Sequence, residues 1–254
     1  MKKALLIVLV LLLAGGFAVA LADLAPPPDA WGDDIVLELT ASDGVKIHGR
    51  FTNARRHGAR ALILVHMLGR THADWEAFAE AARARGICTV AIDLRGHGAS
   101  NQDKSGKKLV WKNFSGEDFR NAVKDVDAAY QYLAQIPHID RDAIAVVGAS
   151  IGANLALNFA AEHPDTIQAA VLLSPGKNYK GVATEAAAKS YPGKMLFYAA
   201  KGDSYSYQST KQLVALAGDR AVFRDFPGNA HGTRAFDTDK KFIAEILDWL
   251  DKNL

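Results

Sequence analysis

The stretch that decides the fold is Gly148-Ala149-Ser150-Ile151-Gly152. It fits the pattern G-x-S-x-G and joins an apolar run, residues 143–147, directly to an apolar helix-like segment, residues 151–163. A turn this sharp forces its central residue into a strained conformation and exposes the side chain above the sheet. The free N–H groups at the start of the helix favour negative charge at that point. The pattern therefore indicates that Ser150 is a nucleophile rather than an inert turn residue.

Strand-like and helix-like segments alternate on both sides of this turn. The predicted strands are residues 35–40, 45–51, 61–65, 89–94, 143–147, 169–173, 194–199 and 221–226. Asp43-Gly44 between the first two is a hairpin turn signal, so the sheet is expected to begin antiparallel. The later alternation with helices favours an α/β fold, with a mainly parallel sheet covered by helices on both faces.

Three helices have recognisable ends or faces. Thr71-x-x-Asp74 resembles a capping box and predicts a helix that continues to about Gly86. Ser115-x-x-Asp118 opens a second helix, in which apolar residues as far as Leu133 fall on one face. The apolar residues of the last predicted helix are Phe242, Ile246, Trp249 and Leu250.

The turn at Ser150 resembles the nucleophile elbow of the α/β-hydrolase family, and the resemblance extends over residues 35–250. It implies the α/β-hydrolase fold, with a mostly parallel eight-stranded sheet and helices on both faces. It also implies a serine hydrolase of the esterase or dienelactone-hydrolase type with a minimal cap. In this family an acid and then a histidine follow the nucleophile along the chain. His231 follows the last predicted strand and is the only histidine after His163, so it would be the general base for Ser150.

The acid that this family requires is assigned to Asp203. It follows the strand at 194–199 in Ala200-Lys201-Gly202-Asp203, which is similar to the family's Gly-x-x-Asp with Ala200 at the usual glycine. Asp203 would orient His231 and stabilise its imidazolium form. Two alternatives are Asp225, which lies within a strand segment, and Asp219, which lies in a turn before that strand.

The resemblance also implies an oxyanion hole made of two backbone N–H groups. One belongs to Ile151, the residue after the nucleophile. The other lies in the loop His66-Met67-Leu68-Gly69-Arg70 and is assigned to Met67, with Leu68 as the alternative. Met67 stands where glycine is common in the family, which places an apolar side chain near the acyl pocket. His66 is interpreted as a structural loop residue.

Residues 93–100, Asp93-Leu94-Arg95-Gly96-His97-Gly98-Ala99-Ser100, match another stretch of the family and are interpreted as a structural turn. Asp93 and His97 have no third ligand nearby, so no metal site is predicted. No G-x-G-x-x-G or P-loop is present, so no cofactor is expected. Cys88, the only cysteine, lies in an apolar run and is expected to pack in the core.

Two segments are candidates for shaping the substrate site. The stretch from Pro175 to Gly193 is short and contains Tyr179 and one possible helix, residues 182–189, so no large lid is expected. The loop at 101–114 is either a solvated basic loop or a rim that attracts anionic substrates. Its cationic and aromatic residues are Lys104, Lys107, Lys108, Lys112, Trp111 and Phe114.

The N-terminus has the pattern of an export signal. Lys2 and Lys3 precede an apolar run, residues 4–22, that ends in Ala20-Leu21-Ala22. Residues 1–22 are therefore predicted to be a cleaved signal peptide or, alternatively, a membrane anchor. Residues 23–33 would be a linker and 34–254 the hydrolase domain, in a periplasmic or secreted protein. Cleavage would lower the formal net charge from +2 to zero, which gives no reason to expect nucleic-acid binding.

The sequence therefore predicts hydrolysis of carboxylic esters with small or medium acyl groups, through an acyl-enzyme on Ser150. The expected partner is a small-molecule ester or acyl substrate, and a membrane only if the N-terminal segment is retained. The alternatives are a peptidase or thioesterase with the same three residues, and a non-catalytic binding protein on this scaffold.

Overall fold

The computed structural model describes residues 34–254. The predicted signal peptide or anchor, residues 1–22, and the predicted linker, residues 23–33, lie outside the described residues. Within residues 34–254, no helix has the length and apolar character needed to cross a membrane.

Residues 34–254 form ten strands: the eight predicted from the sequence and two short ones, the seventh and eighth in chain order, that were not predicted. They are β1 (Ile35–Thr40), β2 (Lys46–Thr52), β3 (Ala59–Val65), β4 (Ile87–Ile92), β5 (Ile139–Ala149), β6 (Ile167–Leu173), β7 (Asn178–Tyr179), β8 (Val182–Ala183), β9 (Lys194–Ala200) and β10 (Ala221–Phe226). Eight of them form the central sheet in the order β1-β2-β4-β3-β5-β6-β9-β10, and β7 and β8 form a separate two-stranded sheet. The pairs β1–β2 and β2–β4 are antiparallel and the remaining pairs of the central sheet are parallel. The expected antiparallel start and the mainly parallel sheet are both confirmed.

Helices cover both faces of this sheet. They are α1 (Glu76–Arg83), α2 (Gly116–Asn121), α3 (Val123–Leu133), α4 (Ile151–Glu162), α5 (Glu185–Ser190), α6 (Ser204–Ala217), α7 (Ala235–Thr238) and α8 (Lys241–Asn253). Alternate side chains of β3 enter two separate apolar clusters. Ile63 packs in the cluster that includes α3 and α4, whereas Leu62 and Leu64 pack in the cluster that includes α1 and α8. Burial on both faces explains why the central strands are continuous apolar runs.

The predicted capping box at Thr71 is wrong. The chain forms a 3-10 turn over His72–Trp75, and the Thr71 side chain makes no capping hydrogen bond. The Asp74 carboxylate instead accepts hydrogen bonds from Arg70 Nε at 2.9 Å and Thr233 Oγ1 at 2.9 Å. A charged donor holds a carboxylate more strongly than a backbone N–H, which explains why Asp74 does not cap the turn.

The second predicted helix is two helices. Its start is as predicted, because Ser115 and Asp118 form a capping box. The helix is interrupted at Ala122, where the N–H of Ala122 bonds to the carbonyl of Phe119, three residues back. No proline or glycine marks this break in the sequence. The helix α6 was not predicted, because its first half is rich in serine, tyrosine and threonine, which have modest helix propensity.

The turn at 93–100 is structural, as predicted. The Arg95 side chain bonds Asp125 at 2.7 Å and Asp43 at 2.8 Å, which ties the turn to α3 and to the β1–β2 hairpin. Burial raises the pKa of Asp125 to about 6, and the charge and hydrogen bonds of Arg95 oppose that rise. Cys88 is buried in β4, as expected, and burial raises the pKa of its thiol.

Candidate active site

Ser150 forms a strained elbow between β5 and α4. Its φ is 55° and its ψ is −121°, a region that residues other than glycine rarely occupy and that costs on the order of 1–3 kcal/mol. A hydrogen bond of 2.8 Å from the Ser150 N–H to the Leu173 carbonyl fixes the turn on the neighbouring strand. A Cβ on Gly148 would collide with the Gly152 backbone, and a Cβ on Gly152 would collide with the Val65 carbonyl. Both glycines of the motif are therefore required by close backbone packing.

The structure brings Ser150, His231 and Asp203 together. The distance from His231 Nε2 to Ser150 Oγ is 2.7 Å, and the distance from His231 Nδ1 to Asp203 Oδ2 is 2.6 Å. The loop that carries His231 is anchored by a 3.0 Å hydrogen bond from the Gly232 N–H to Ser174 Oγ. His231 Nε2 therefore faces the Ser150 hydroxyl and Nδ1 faces the Asp203 carboxylate, so a proton can pass from Ser150 to a histidine that a carboxylate holds in place.

Asp203 lies at the N-terminal end of α6, with its side chain largely buried. Burial raises its pKa, but hydrogen bonds from His231, Ser206 and Ser174 together with the charge of His231 lower it, and the net result is a pKa below the ordinary value. The carboxyl group is therefore ionised at neutral pH and can stabilise a positively charged His231.

The two alternative acids lie in other surroundings. Asp225 accepts a hydrogen bond of 3.1 Å from the Tyr207 hydroxyl and lies 3.6 Å from Lys201 Nζ. Asp219 lies in the turn that precedes β10, whereas His231 follows the opposite end of that strand. Of the three carboxylates considered, Asp203 is the one that contacts His231.

The candidate oxyanion hole is at the start of α4 and in the loop after β3. No hydrogen bond joins the N–H of Ile151 or of Met67 to another residue in the described part of the chain. Both residues line the same cavity as Ser150, and so does the alternative, Leu68. The assignment of Met67 therefore stays a prediction. The Met67 side chain is buried beneath the loop of His231, where a Cβ on Gly232 would meet its sulfur at 2.8 Å.

His66 holds this loop in shape. It is fully buried, its Nδ1 lies 2.8 Å from the carbonyl of Met67, and its Nε2 accepts a 2.9 Å hydrogen bond from the N–H of Leu94. Burial, and then the charge of the neighbouring His97, lower the pKa of His66 to about 4, so its ring is neutral. The structural role expected for His66 is confirmed.

Sequence reasoning did not assign a role to Tyr179 or Ser206. The Tyr179 hydroxyl lies 2.8 Å from Ser206 Oγ, and Ser206 Oγ lies 3.4 Å from His231 Nδ1. The rings of Tyr179 and His231 meet edge to face, with centroids 6.1 Å apart. Burial raises the pKa of Tyr179 to about 12 although hydrogen bonds oppose the rise, so the phenol keeps its proton. The only available signal was that Tyr179 lies in the short segment expected to shape the site.

The cavity at Ser150 has a volume of about 370 Å³. Its lining residues are Met67, Leu68, Ser150, Ile151, Tyr179, Lys180, His231 and Arg234. The loop at 101–114 contributes none of them, which favours its interpretation as a solvated basic loop over its interpretation as a rim of this cavity. Trp111 of that loop instead stacks on His97, with ring centroids 5.3 Å apart. The cations at the cavity are Lys180 and Arg234.

A second and larger cavity, of about 640 Å³, is lined mainly by residues of α1, α7 and α8. It contains neither Ser150 nor His231, and Arg234 is the residue that it shares with the cavity at Ser150. Because the reactive groups face the smaller cavity, the smaller one is the candidate substrate site.

An eight-stranded, mostly parallel sheet with an elbow serine at the carboxyl end of a central strand defines an α/β-hydrolase. The chain belongs to the family described as serine aminopeptidase, S33, which matches residues 57–231. The chain is therefore a member of this family with the α/β-hydrolase fold.

Solved structures with other sequences share this fold. An esterase of Pyrococcus furiosus is 17% identical with a TM-score of 0.68, and the match covers 89% of this chain and 95% of that chain. A dienelactone hydrolase from Anabaena variabilis is 17% identical with a TM-score of 0.67, over 88% of this chain and 99% of that chain. At this level of identity the likeness shows the fold alone.

The curated relatives that match include an uncharacterized protein of Mycobacterium tuberculosis and one of Mycobacterium bovis. Each is 25% identical over 122 residues, which is 48% of this chain and 31% of the relative. The chain therefore spans about a third of the length of the curated relatives that it matches.

Proposed function

We propose that the protein is a serine hydrolase that cleaves carboxylic esters of small or medium acyl groups through an acyl-enzyme on Ser150. The observation that carries this proposal is the hydrogen-bonded series Ser150, His231 and Asp203, with contacts of 2.7 and 2.6 Å, at the wall of a cavity. A serine is activated for acyl transfer when a base lies at hydrogen-bond distance from its hydroxyl group and an acid orients that base.

The proposed reaction has two halves. Ser150 Oγ attacks the carbonyl carbon of the ester while His231 Nε2 takes the hydroxyl proton, and the Asp203 carboxylate stabilises the imidazolium that results. The N–H groups of Ile151 and Met67 would stabilise the negative charge on the former carbonyl oxygen. His231 then gives its proton to the departing alcohol. A water molecule repeats the sequence on the acyl-enzyme and releases the carboxylic acid, which restores the Ser150 hydroxyl.

The size of the acyl group is inferred from the cap. Between β6 and β9 the chain forms only the β7–β8 hairpin and the six-residue α5. The cavity of about 370 Å³ lies near the lower end of the range for small-molecule sites, roughly 300–1,000 Å³. These features favour small or medium acyl groups. The names of two similar structures, an esterase and a dienelactone hydrolase, are consistent with ester substrates.

An aminopeptidase activity, which the family description suggests, is the second candidate. Such an enzyme has to hold the free ammonium group of a peptide, and a carboxylate is the side chain suited to that task. No Asp or Glu lines the cavity within residues 34–254, whereas Lys180 and Arg234 do. Like charges disfavour an ammonium group there, so we place ester hydrolysis ahead of aminopeptidase activity.

We expect the purified protein to hydrolyse p-nitrophenyl esters with acyl chains of two to about six carbons, with kcat/KM falling for longer chains. Each methylene that a pocket does not accommodate costs on the order of tenfold in specificity. The panel is measured beside alanine p-nitroanilide, an aminopeptidase substrate, and a short acyl thioester. Faster turnover of the anilide or the thioester than of every oxygen ester would contradict the proposal and favour the corresponding alternative.

A further inference from the structure

The cavity at Ser150 carries two cationic side chains from separate segments. Lys180 lies in the turn between β7 and β8, and Arg234 ends the 3-10 turn that follows His231. Both side chains line the cavity that contains Ser150, and both residues are exposed. A substrate bound at Ser150 therefore lies in contact with, or close to, two positive charges.

Neither cation has a negatively charged partner among residues 34–254. Neighbouring cations are paired: Lys177, in the same segment as Lys180, lies 3.0 Å from Glu185, and Arg70, in the loop after β3, lies 2.7 Å from Asp74. The side chains of Lys180 and Arg234 form no such ion pair in the described part of the chain. Asp203, the carboxylate of the site, already binds His231.

The turns that hold these cations are anchored. The Asn178 carboxamide oxygen accepts a 2.8 Å hydrogen bond from the Gly181 N–H, and the Tyr205 hydroxyl bonds the Asn178 backbone at 3.0 Å. On the other side, Thr233 donates to Asp74 at 2.9 Å immediately before Arg234. Anchored backbone on both sides limits the positions that the two side chains can reach, which reduces the entropy lost when they bind a ligand.

The rest of the cavity wall is apolar or belongs to the reaction. Met67, Leu68 and Ile151 supply apolar surface beside Ser150. A cleft that is lined by one sign of charge attracts ligands of the opposite sign. Arginine and lysine are also the side chains that bind carboxylates by charge-assisted hydrogen bonds. A short apolar chain that ends in a carboxylate matches this combination of surfaces.

We propose that the substrates of this site are esters that carry a carboxylate, which Lys180 and Arg234 bind while the ester carbonyl lies at Ser150. This inference rests on the proposed function and narrows it to one class of ester. Lys180 and Arg234 are assigned as specificity-determining residues, and they take no part in the transfer of protons or of the acyl group.

The first test compares esters that differ only in charge. In the first pair, monoethyl adipate carries a carboxylate on the acyl side, and diethyl adipate is its neutral counterpart. The second pair, 3-butyryloxybenzoate and its methyl ester, places the carboxylate on the alcohol side. In at least one pair, we expect kcat/KM per ester group to be higher for the anionic member by on the order of tenfold. This is the effect expected of one hydrogen bond to a charged group. Equal rates, or faster turnover of the neutral member, in both pairs would overturn the inference.

The second test removes the charges one at a time. Lys180→Gln and Arg234→Gln are each expected to lower the ratio of anionic to neutral kcat/KM about threefold to tenfold, and the double variant further. Lys189→Gln is the matched control, because Lys189 is an exposed lysine of the same cap segment that does not line the cavity. A ratio that stays at the wild-type value in the double variant would overturn the assignment of these two residues.

Salt gives an independent readout. Raising NaCl from about 50 to 500 mM screens exposed charges and is expected to reduce the wild-type ratio toward that of the double variant.

Failure of this inference is distinguishable from failure of the proposed function. If neutral esters are cleaved and the ratio shows no anionic preference, the charge assignment is wrong and ester hydrolysis stands. If no ester is cleaved, both are wrong.

Discussion

Replacing Ser150 by alanine is expected to lower kcat for ester hydrolysis by on the order of 10⁴-fold or more, with little change in KM. The variant lacks the atom that attacks the ester, while the cavity wall and the candidate oxyanion N–H groups remain. Residual catalysis from binding and electrostatic stabilisation is commonly found in such variants, and for this reason the expected loss is large but finite. The measurement is steady-state hydrolysis of the best p-nitrophenyl ester by both proteins.

The control for this variant is Ser209→Ala. Ser209 is also a buried serine, but it lies within α6 and does not line the cavity. It is expected to keep kcat within about twofold of the wild type, as is usual for a change away from the reacting groups. A Ser150→Ala protein that retains more than about a tenth of wild-type activity would mean that another group attacks the ester.

Asp203→Asn is expected to lower kcat on the order of 10⁴-fold at neutral pH, as is found when the acid of such a triad becomes an amide. The carboxylate accepts the Nδ1 proton of His231 at 2.6 Å, and an amide group can instead donate to Nδ1 and stabilise the wrong tautomer. The matched control is Asp225→Asn, because Asp225 was the alternative acid and binds Tyr207 instead. The account is contradicted if the Asp225 variant loses activity and the Asp203 variant keeps it.

The pH dependence follows from the same hydrogen bonds. They hold the pKa of Asp203 below its ordinary value although burial raises it. A group whose pKa is lowered in the folded protein stays ionised as the pH falls toward that value. Acidification from pH 7 to 5 therefore leaves Asp203 ionised, and any loss of wild-type activity over this range arises from protonation of another group. A pH–rate profile of kcat/KM measures this directly.

The parts of the site that the sequence predicted are those with a strong local pattern or a fixed order along the chain. The elbow at Ser150 is a local pattern, since two glycines flank a serine at the point where an apolar strand becomes a helix. His231 was identified because it is the only histidine in the last third of the chain, after the final strand. Asp203 was identified from its place after β9, although the helix that begins at Ser204 was not predicted.

The surroundings of these residues depend on contacts that no local pattern encodes. Tyr179 reaches His231 through Ser206 because the β7–β8 hairpin folds over the start of α6. Lys180 and Arg234 are more than fifty positions apart in the sequence, and the fold places both at the wall of the same cavity. The lysines of the loop at 101–114, which form the more obvious cluster in the sequence, do not line that cavity. A cluster of charges in the sequence indicates a charged surface, but only the folded structure indicates which charges face the substrate.

The most direct test of the acyl-enzyme is covalent labelling with a fluorophosphonate, which forms a stable adduct with a serine that a neighbouring base activates. Peptide mapping by mass spectrometry after labelling locates the adduct. The account predicts one adduct per chain, on the peptide that contains Ser150, with loss of ester hydrolysis in proportion to labelling. It also predicts no adduct in the Ser150→Ala protein. Labelling of a different residue, or full activity in a protein labelled at Ser150, would contradict the central claim.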